Sequence, residues 1–272
     1  MTAGFVPFQG YRTRYWIAGE PAPGTLPLLC LHGGPGSSHT YFTRLERLAD
    51  EGRQVVLYDQ LGCGDSDRPD HDSLWTLELF VSEVQAVRDH LGLDRVHLLG
   101  TSWGGMLAQE YALTRPAGLE SLVLSSTLAS ADQWVSEARR LLAALGPDAG
   151  EDEFDAAHFC RLDPPPPEMA IMATKRNPRV YEAMWGPNEF TCTGRLKGWT
   201  TVDRLGEIRL PTLVLRGGYD MCTPAIAQVL LDGIAGSELV VLEHSAHAPV
   251  VEEPERYRAV VGDFLSRVEA GL

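Results

Sequence analysis

Short apolar runs recur along the chain, separated by segments in which apolar residues return every three or four positions. Six runs have the length and composition of strands that are buried on both faces: residues 26–32, 54–59, 95–100, 119–126, 211–217 and 238–244. Between such runs, residues 76–91 and 254–268 place their apolar side chains on one stripe of a helix. Strands that alternate with helices predict a parallel sheet covered by helices on both faces.

The N-terminal segment follows a different pattern. Residues 11–19, YRTRYWIAG, alternate between apolar and polar side chains, which is typical of a strand with one buried face. We predict an antiparallel hairpin here, at the edge of the sheet. Together with the six parallel runs, this hairpin gives an α/β fold with a mostly parallel, eight-stranded sheet.

The regular alternation stops between residues 128 and 195. This segment has two helical patterns, 132–145 and 168–184, and an acidic stretch and four consecutive prolines lie between them. Consecutive prolines hold the chain stiff and extended. We predict that residues 128–195 form a helical cap, inserted into a core domain that consists of residues 1–127 and 196–272.

A serine, Ser102, stands between a strand-like run and a helical pattern in the sequence LLGTSWGGML. Residues 100–104 fit the motif G-x-S-x-G, whose glycines permit a tight turn that lifts the serine hydroxyl above the sheet. The helix N-terminus beside it favours developing negative charge. A serine before a helix is also a common N-cap, so the pentapeptide alone leaves both interpretations open.

A serine nucleophile needs a histidine base, and the base needs a carboxylate that orients it. With this motif the partners follow in the order Ser, Asp or Glu, His. Asp220 comes just after the run 211–217, and His247 lies in the loop after the last run, while His244 is an alternative base nearer to that strand. We predict a catalytic triad of Ser102, Asp220 and His247.

A glycine-rich loop, HGGPG at residues 32–36, follows the first buried run. In folds with this serine motif, such a loop donates one backbone N–H to the oxyanion, and the residue after the nucleophile donates the other. We assign these donors to Gly34 and Trp103. The loop does not fit the phosphate-binding pattern G-x-x-x-x-G-K-[ST].

Composition and charge narrow the function further. The formal net charge is −14, which argues against nucleic acid or an anionic membrane as a partner. The five cysteines are scattered without a C-x-x-C pair, so we predict no metal site and no disulfide framework, and the mechanism needs no cofactor. The sequence MTAGFVPFQG lacks the features of a signal peptide. We expect a cytoplasmic protein that acts on a small molecule or short peptide.

Several motifs together resemble the proline iminopeptidase family of α/β-hydrolases: HGGPG, YDQLGCGDSD at 58–67, GTSWGG at 100–105 and GPNEFTCTG at 186–194. The chain is similar to the shorter branch, which includes the tricorn-interacting aminopeptidase. The resemblance implies an α/β-hydrolase fold and a serine peptidase that releases an N-terminal residue, often proline, from small peptides or amides. The predicted triad and oxyanion residues fall on the corresponding positions of the family.

The resemblance also implies how the substrate is held. Glu189 falls on the position of a glutamate that binds the free amine of the substrate. A second acid usually follows the triad aspartate, and Met221 stands at that position here, which removes a charge and a hydrogen-bond acceptor. The other residues that we place at the substrate are Gly33, Tyr219 and Trp185.

Three functions stay open on the sequence. The first is an aminopeptidase or amidase of the proline iminopeptidase type. Met221, and a cap that is shorter than usual for the branch around residues 145–162, favour the second: a carboxylesterase, lactonase or tailoring hydrolase with a less charged substrate. The third is a ligand-binding homologue without acyl transfer, since a fold does not determine a function. A complete triad argues against the third.

Overall fold

The computed structural model describes residues 1–271, and eight strands form one sheet within them. The strands are β1 (Thr2–Phe8), β2 (Tyr11–Ala18), β3 (Leu28–Leu31), β4 (Val55–Tyr58), β5 (Val96–Thr101), β6 (Leu119–Ser125), β7 (Thr212–Gly217) and β8 (Glu238–Leu242). Their order is β1-β2-β4-β3-β5-β6-β7-β8, and β2 pairs antiparallel with β1 and β4 while the remaining pairs are parallel. The predicted eight-stranded, mostly parallel sheet is confirmed.

The two edges of the sheet differ from its centre. At one edge, β1 and β2 form the predicted hairpin, whose turn residues Gln9 and Gly10 both have positive φ, as a tight two-residue hairpin turn requires. At the other edge, β8 is only partly buried along most of its length, and Leu242 is its one buried residue. The expectation that run 238–244 is buried on both faces is wrong, because β8 is the last strand of the sheet and pairs on one side, with β7.

Helices flank the sheet. They are α1 (Leu77–Leu91), α2 (Trp103–Leu113), α3 (Ala131–Leu145), α4 (Glu151–Phe154), α5 (Pro167–Lys175), α6 (Pro178–Met184), α7 (Pro224–Gly233), α8 (Pro249–Glu252) and α9 (Pro254–Ala270). Segments of 3₁₀ helix occupy His39–Glu51, Asp72–Leu74 and Val202–Glu207, and a π turn occupies Asp155–Phe159. Within residues 1–271, no helix is both long enough and apolar enough to cross a bilayer.

Alternate residues of the central strands supply two apolar cores, one on each face of the sheet. Leu29 packs in the core that contains α1 and α2, whereas its neighbours Leu28 and Cys30 pack in the core that contains α9. This alternation follows from the two-residue repeat of a strand. Helices therefore cover both faces, as predicted.

Helix α1 shows why the sequence forms these helices. The side chain of Thr76 caps its first turn by accepting from the amide of Leu79, and Gly92 ends it in the left-handed region. Its fully buried Phe80 and Val84 lie one turn apart on the face that meets the sheet. Each such side chain contributes about 1.5–3 kcal/mol when it is fully removed from water.

The chain between β6 and β7 holds α3 to α6. The prediction of one helix over residues 168–184 is wrong, because the chain is extended at Arg176 and Asn177, and α6 begins anew at Pro178. A proline has no N–H for a continuing helix and suits the first helical position. The boundaries of the cap at residues 128 and 195 stay a prediction.

Candidate active site

Ser102 occupies the turn between β5 and α2 with φ 54° and ψ −120°, a backbone conformation that non-glycine residues rarely adopt. Neighbouring groups hold it there: its amide donates to the carbonyl of Ser125 at 3.0 Å, and Oγ1 of Thr127 donates to its carbonyl at 2.6 Å. Its side chain makes no capping hydrogen bond to α2. The hydroxyl is therefore free of the N-cap role and faces the adjoining cavity.

The two glycines of the motif allow this turn to form against neighbouring backbone. A Cβ atom on Gly100 would lie 2.1 Å from the carbonyl oxygen of Gly104. A Cβ atom on Gly104 would lie 2.0 Å from the carbonyl oxygen of Leu31. Neither distance is compatible with a side chain, so the spacing of the motif reflects the packing of α2 on β3 and β5.

His247 and Asp220 meet at the same end of the sheet. Nδ1 of His247 donates to Oδ1 of Asp220 at 2.8 Å, and the amides of Cys222 and Gly217 donate to the same carboxylate at 2.8 and 3.3 Å. Burial lowers the pKa of His247, but the charge and hydrogen bond of Asp220 outweigh it, and the net pKa is raised. His244, the alternative base, is exposed and lies outside the cavity.

The glycine-rich loop lies directly against the serine. A Cβ atom on Gly33 would be 3.3 Å from Cβ of Ser102, and the amide of Gly33 donates to the hydroxyl of Tyr41 at 2.5 Å. In the part of the chain that the structure describes, the amides of Gly34 and Trp103 donate to no protein acceptor. These two amides are available to an oxyanion.

Sequence reasoning missed Gln60, which connects the two donors. Its side chain accepts from the indole nitrogen of Trp103 at 2.8 Å and donates to the carbonyl of His32 at 2.9 Å. Its amide donates to Nε2 of His32 at 3.0 Å, and Nδ1 of that ring donates to the carbonyl of Gly33 at 2.8 Å. Burial lowers the pKa of His32 to about 4, so the ring is neutral and can fill both roles. The sequence signal that could have indicated Gln60 was its position in the motif YDQLGCGDSD.

A cavity of about 900 Å³ lies between the sheet and the segment that follows β6. Ser102 and His247 line its floor, and Glu189 lines its wall. The carboxylate of Glu189 is held by two donors, the hydroxyl of Tyr181 at 2.6 Å and the indole nitrogen of Trp134 at 2.8 Å. Trp134 also contacts the ring of His247 edge-on, with centroids 5.6 Å apart. The glutamate is thus fixed in position relative to the base.

The remaining residues that the sequence placed at the substrate divide into two groups. Gly33 and Met221 line the cavity. Trp185 does not, because it is buried in the core and donates to the carbonyl of Asn188. Tyr219 does not either: it is 46% exposed and stacks under the guanidinium of Arg161 on the outside. The prediction that Trp185 and Tyr219 line the substrate site is therefore wrong, since proximity in sequence does not determine the direction of a side chain.

The junction between α5 and α6 is bonded to loops of the core. The amide of Asn177 donates to the carbonyl of Gly36 in the glycine-rich loop at 2.7 Å, and its side-chain nitrogen donates to the carbonyl of Gly62 at 2.7 Å. The amide of Gly64 donates to the carbonyl of Lys175 at 3.2 Å. These hydrogen bonds connect the α5–α6 junction to two loops of the core.

Over residues 1–271, no three or more His, Cys, Asp or Glu side chains come close enough together to hold a metal ion. Acyl transfer requires a hydroxyl and an imidazole paired with a carboxylate. Ser102 and His247 supply the first two at the cavity, and Asp220 pairs with the imidazole from behind it.

Comparison with known proteins identifies the family. Residues 27–159 match the family described as alpha/beta hydrolase fold. A proline iminopeptidase of Clostridioides difficile (strain 630) is 40% identical over 98% of this chain and 98% of its own length. The chain belongs to the proline iminopeptidase family. A proline iminopeptidase of Lactobacillus helveticus is 41% identical, with 97% of each chain covered.

Solved structures of this family have the same fold. The crystal structure of the proline iminopeptidase of Mycobacterium smegmatis superimposes with a TM-score of 0.94 and 37% identity, over 99% of each chain. The predicted α/β-hydrolase fold and the resemblance to proline iminopeptidases are confirmed, and the chain is an enzyme of the hydrolase class.

Proposed function

We propose that this enzyme is an aminopeptidase that releases an N-terminal residue, often proline, from short peptides or amides by way of an acyl-enzyme. The observation that carries this proposal is the carboxylate of Glu189 in the cavity that also contains Ser102 and His247. A fixed carboxylate near a nucleophile selects substrates that carry a positive charge close to the carbonyl under attack.

The proposed mechanism assigns one role to each residue of the site. The hydroxyl of Ser102 attacks the carbonyl carbon while Nε2 of His247 takes its proton, and Asp220 stabilises the resulting imidazolium. The amides of Gly34 and Trp103 bind the oxyanion. When the C–N bond breaks, His247 returns the proton to the leaving amine. Water, activated by the same histidine, then hydrolyses the ester, which releases the acid and restores the serine.

Glu189 supports the restriction to N-terminal residues. Each of its oxygens accepts one protein hydrogen bond and keeps a further lone pair for a ligand. An α-ammonium lies only one carbon from the carbonyl that it accompanies, so holding the charge at Glu189 brings the first peptide bond to Ser102. An acylated or internal residue has no such charge and loses this contact.

One observation favours a second candidate function. Much of the cavity wall is apolar, and its lining includes Met169, Met172, Val250 and Met221. Such a lining suits the acyl or alkyl part of an uncharged ester or lactone. The same triad hydrolyses esters, so a carboxylesterase, a lactonase or a tailoring hydrolase is the alternative that the experiment has to separate.

The experiment compares L-proline p-nitroanilide with its N-acetylated form, using Ser102→Ala as the blank. We expect only the free amine to be cleaved. The variant Glu189→Gln should lower kcat/KM for the free amine about tenfold to a hundredfold, the cost of a charged hydrogen bond. Glu182→Gln, on the exposed side of α6, is the matched control. Equal or faster cleavage of the acetylated substrate would instead establish the second candidate.

We also propose a cytoplasmic location, a small-molecule or short-peptide substrate, and no nucleic-acid or membrane partner. The net charge of −14 and the five free cysteines support this proposal. Fractionation of the source cells should recover the activity with cytosolic markers, and recovery with membranes would contradict it.

A further inference from the structure

A second carboxylate, that of Asp155, faces the substrate cavity. Asp155 begins the π turn Asp155–Phe159 that follows α4, and it lines the same cavity as Ser102, His247 and Glu189. Its backbone carbonyl accepts from the amide of Cys160, but within residues 1–271 no group donates to its side chain, and no cation forms an ion pair with it. The hydrogen-bonding capacity of this carboxylate is left for a ligand.

The charges around Asp155 favour a cation between it and Glu189. Asp155 keeps contact with solvent at the open side of the cavity. Its partial burial, together with the negative charges of Glu189 and of Glu151 on α4, raises its pKa to about 6. His247 and Arg176 act in the opposite direction. A positive ligand placed between the two acids would remove their repulsion and restore the ionised form of Asp155.

Among residues 1–271, no cationic side chain forms an ion pair with Asp155 or Glu189. The guanidinium of Arg176 lies over the ring of Tyr181, 4.6 Å from its centroid, and is not paired with either acid. On the side of Asp220, the wall is formed by the buried thioether of Met221, which carries no charge. A second anionic partner for a ligand cation is therefore available from Asp155, in the segment before α5.

We propose that Asp155 is the second anionic partner of the substrate's α-ammonium group and, together with Glu189, determines the preference for unblocked N-terminal residues. This inference rests on the proposed aminopeptidase function. The protonated secondary amine of an N-terminal proline has two N–H donors, so each carboxylate receives one charge-assisted hydrogen bond. Asp155 binds the amine and takes no part in the proton transfers at Ser102.

Two consequences separate this role from a structural one. An interaction with the amine that is equal in the ground state and the transition state raises KM when it is lost and leaves kcat nearly unchanged. In addition, protonation of Asp155 weakens amine binding, so KM for a free-amine substrate should rise as the pH falls through about 6. The groups facing Asp155 whose titration enters this profile are Glu151, Glu189 and His247.

The experiment measures kcat and KM for L-proline p-nitroanilide and for p-nitrophenyl acetate, which has no amine, with the wild type and Asp155→Asn. We expect KM for the prolyl substrate to rise about tenfold or more, with a far smaller effect on the ester, and the acidic rise in KM to disappear. Asp152→Asn, which makes the same charge change on α4 outside the cavity, should leave both substrates unaffected. Asp155→Glu should restore part of the affinity.

The outcomes distinguish this inference from the function on which it rests. If the wild type requires the free amine and Glu189→Gln impairs it, but Asp155→Asn behaves like Asp152→Asn, the inference is overturned and the aminopeptidase stands. An equal loss on the ester would make Asp155 structural and also overturn the inference. If the wild type cleaves acetylated and free substrates alike, both proposals fall.

Discussion

The indole nitrogen of Trp103 donates to Oε1 of Gln60 at 2.8 Å. The other end of the same amide donates to the backbone of His32, whose ring bonds to the carbonyl of Gly33. One buried glutamine thus spans the two backbone segments that present the proposed oxyanion donors. Gln60 does not contact the substrate cavity, so its effect on the reaction has to act through the positions of those donors.

Replacing Gln60 with methionine, which keeps the volume and removes the two side-chain hydrogen bonds, should lower kcat about tenfold to a hundredfold with little change in KM. The reason is that a displaced donor is lost mainly in the transition state, where a single donor contributes about 10²–10³ in rate. Steady-state kinetics on L-proline p-nitroanilide measure kcat and KM separately.

Gln109→Met is the matched control for Gln60→Met. Gln109 is also fully buried and bonds to the carbonyls of Gly105 and Leu128, away from the glycine-rich loop. Both variants should lower the melting temperature, but Gln109→Met should leave kcat close to the wild-type value. Similar kcat losses in the two variants would show that Gln60 acts through stability alone.

His247, the proposed base, should titrate above the ordinary pKa of histidine, about 6.5, because Asp220, Glu189 and Glu252 together outweigh the effect of burial. A base acts only when deprotonated, so kcat/KM for p-nitrophenyl acetate should fall as the pH drops through this raised pKa. Removing the charge of Glu189 in Glu189→Gln should move this acidic limb to lower pH. A limb that stays in place would show that Glu189 exerts no field at the imidazole.

A buried acid outside the cavity, Glu83 on α1, should make stability depend on pH. Burial raises its pKa to about 8, and its carboxyl accepts from Thr13 and from the amide of Leu61 while Oε2 has no partner. The folded protein keeps this proton up to about pH 8, whereas the unfolded chain releases it near its ordinary pKa of about 4.3. Stability therefore falls as the pH rises between these values, by at most about 1.4 kcal/mol per pH unit.

The variant Glu83→Gln removes that titration. Relative to the wild type, its melting temperature should increase progressively from pH 5 to pH 8, as measured by thermal unfolding. Glu78→Gln, at an exposed site on the first turn of the same helix, should follow the wild-type curve. Parallel curves for Glu83→Gln and the wild type would mean that Glu83 is ionised in the folded protein.

Two glycine-to-alanine changes should shift the stability of the protein in opposite directions. Gly104→Ala places a methyl group 2.0 Å from the carbonyl of Leu31, so it should destabilise the protein severely and abolish activity. Gly262→Ala, inside α9, meets only ordinary contacts beyond 3.4 Å and should stabilise by about 0.5–1 kcal/mol. Thermal unfolding of both variants checks the pair, and a neutral Gly104→Ala would show that the turn can relax.

The fold was predictable because its signals are local. Apolar runs, helical stripes and the Gly100 to Gly104 spacing each occupy a few consecutive residues of the sequence, and they predict the sheet and the serine turn. The order of the motifs was enough to select Asp220 and His247, which the structure brings together at 2.8 Å.

The rest of the site depends on contacts between distant segments. Asp155 reaches the cavity only because α4 and the π turn form in a stretch that reads as an acidic linker. Gln60 bonds to Trp103 and to His32 only because it follows β4, which brings it between the serine turn and the glycine-rich loop. Conversely, Tyr219 is adjacent to Asp220 in sequence and Trp185 precedes Glu189 in the same motif, yet neither side chain lines the cavity. No periodicity in the sequence contains this information.

The bond from Asn177 to Gly36 has a further consequence. Gly36 lies two residues from the proposed oxyanion donor Gly34, while Asn177 begins the helix whose Tyr181 holds Glu189. Hydrogen bonds thus connect the helix that positions Glu189, the proposed amine ligand, to the loop that carries Gly34, a proposed oxyanion donor. We therefore expect that a substitution that displaces Asn177 alters kcat as well as KM, so that selectivity and rate change together on that side of the cavity.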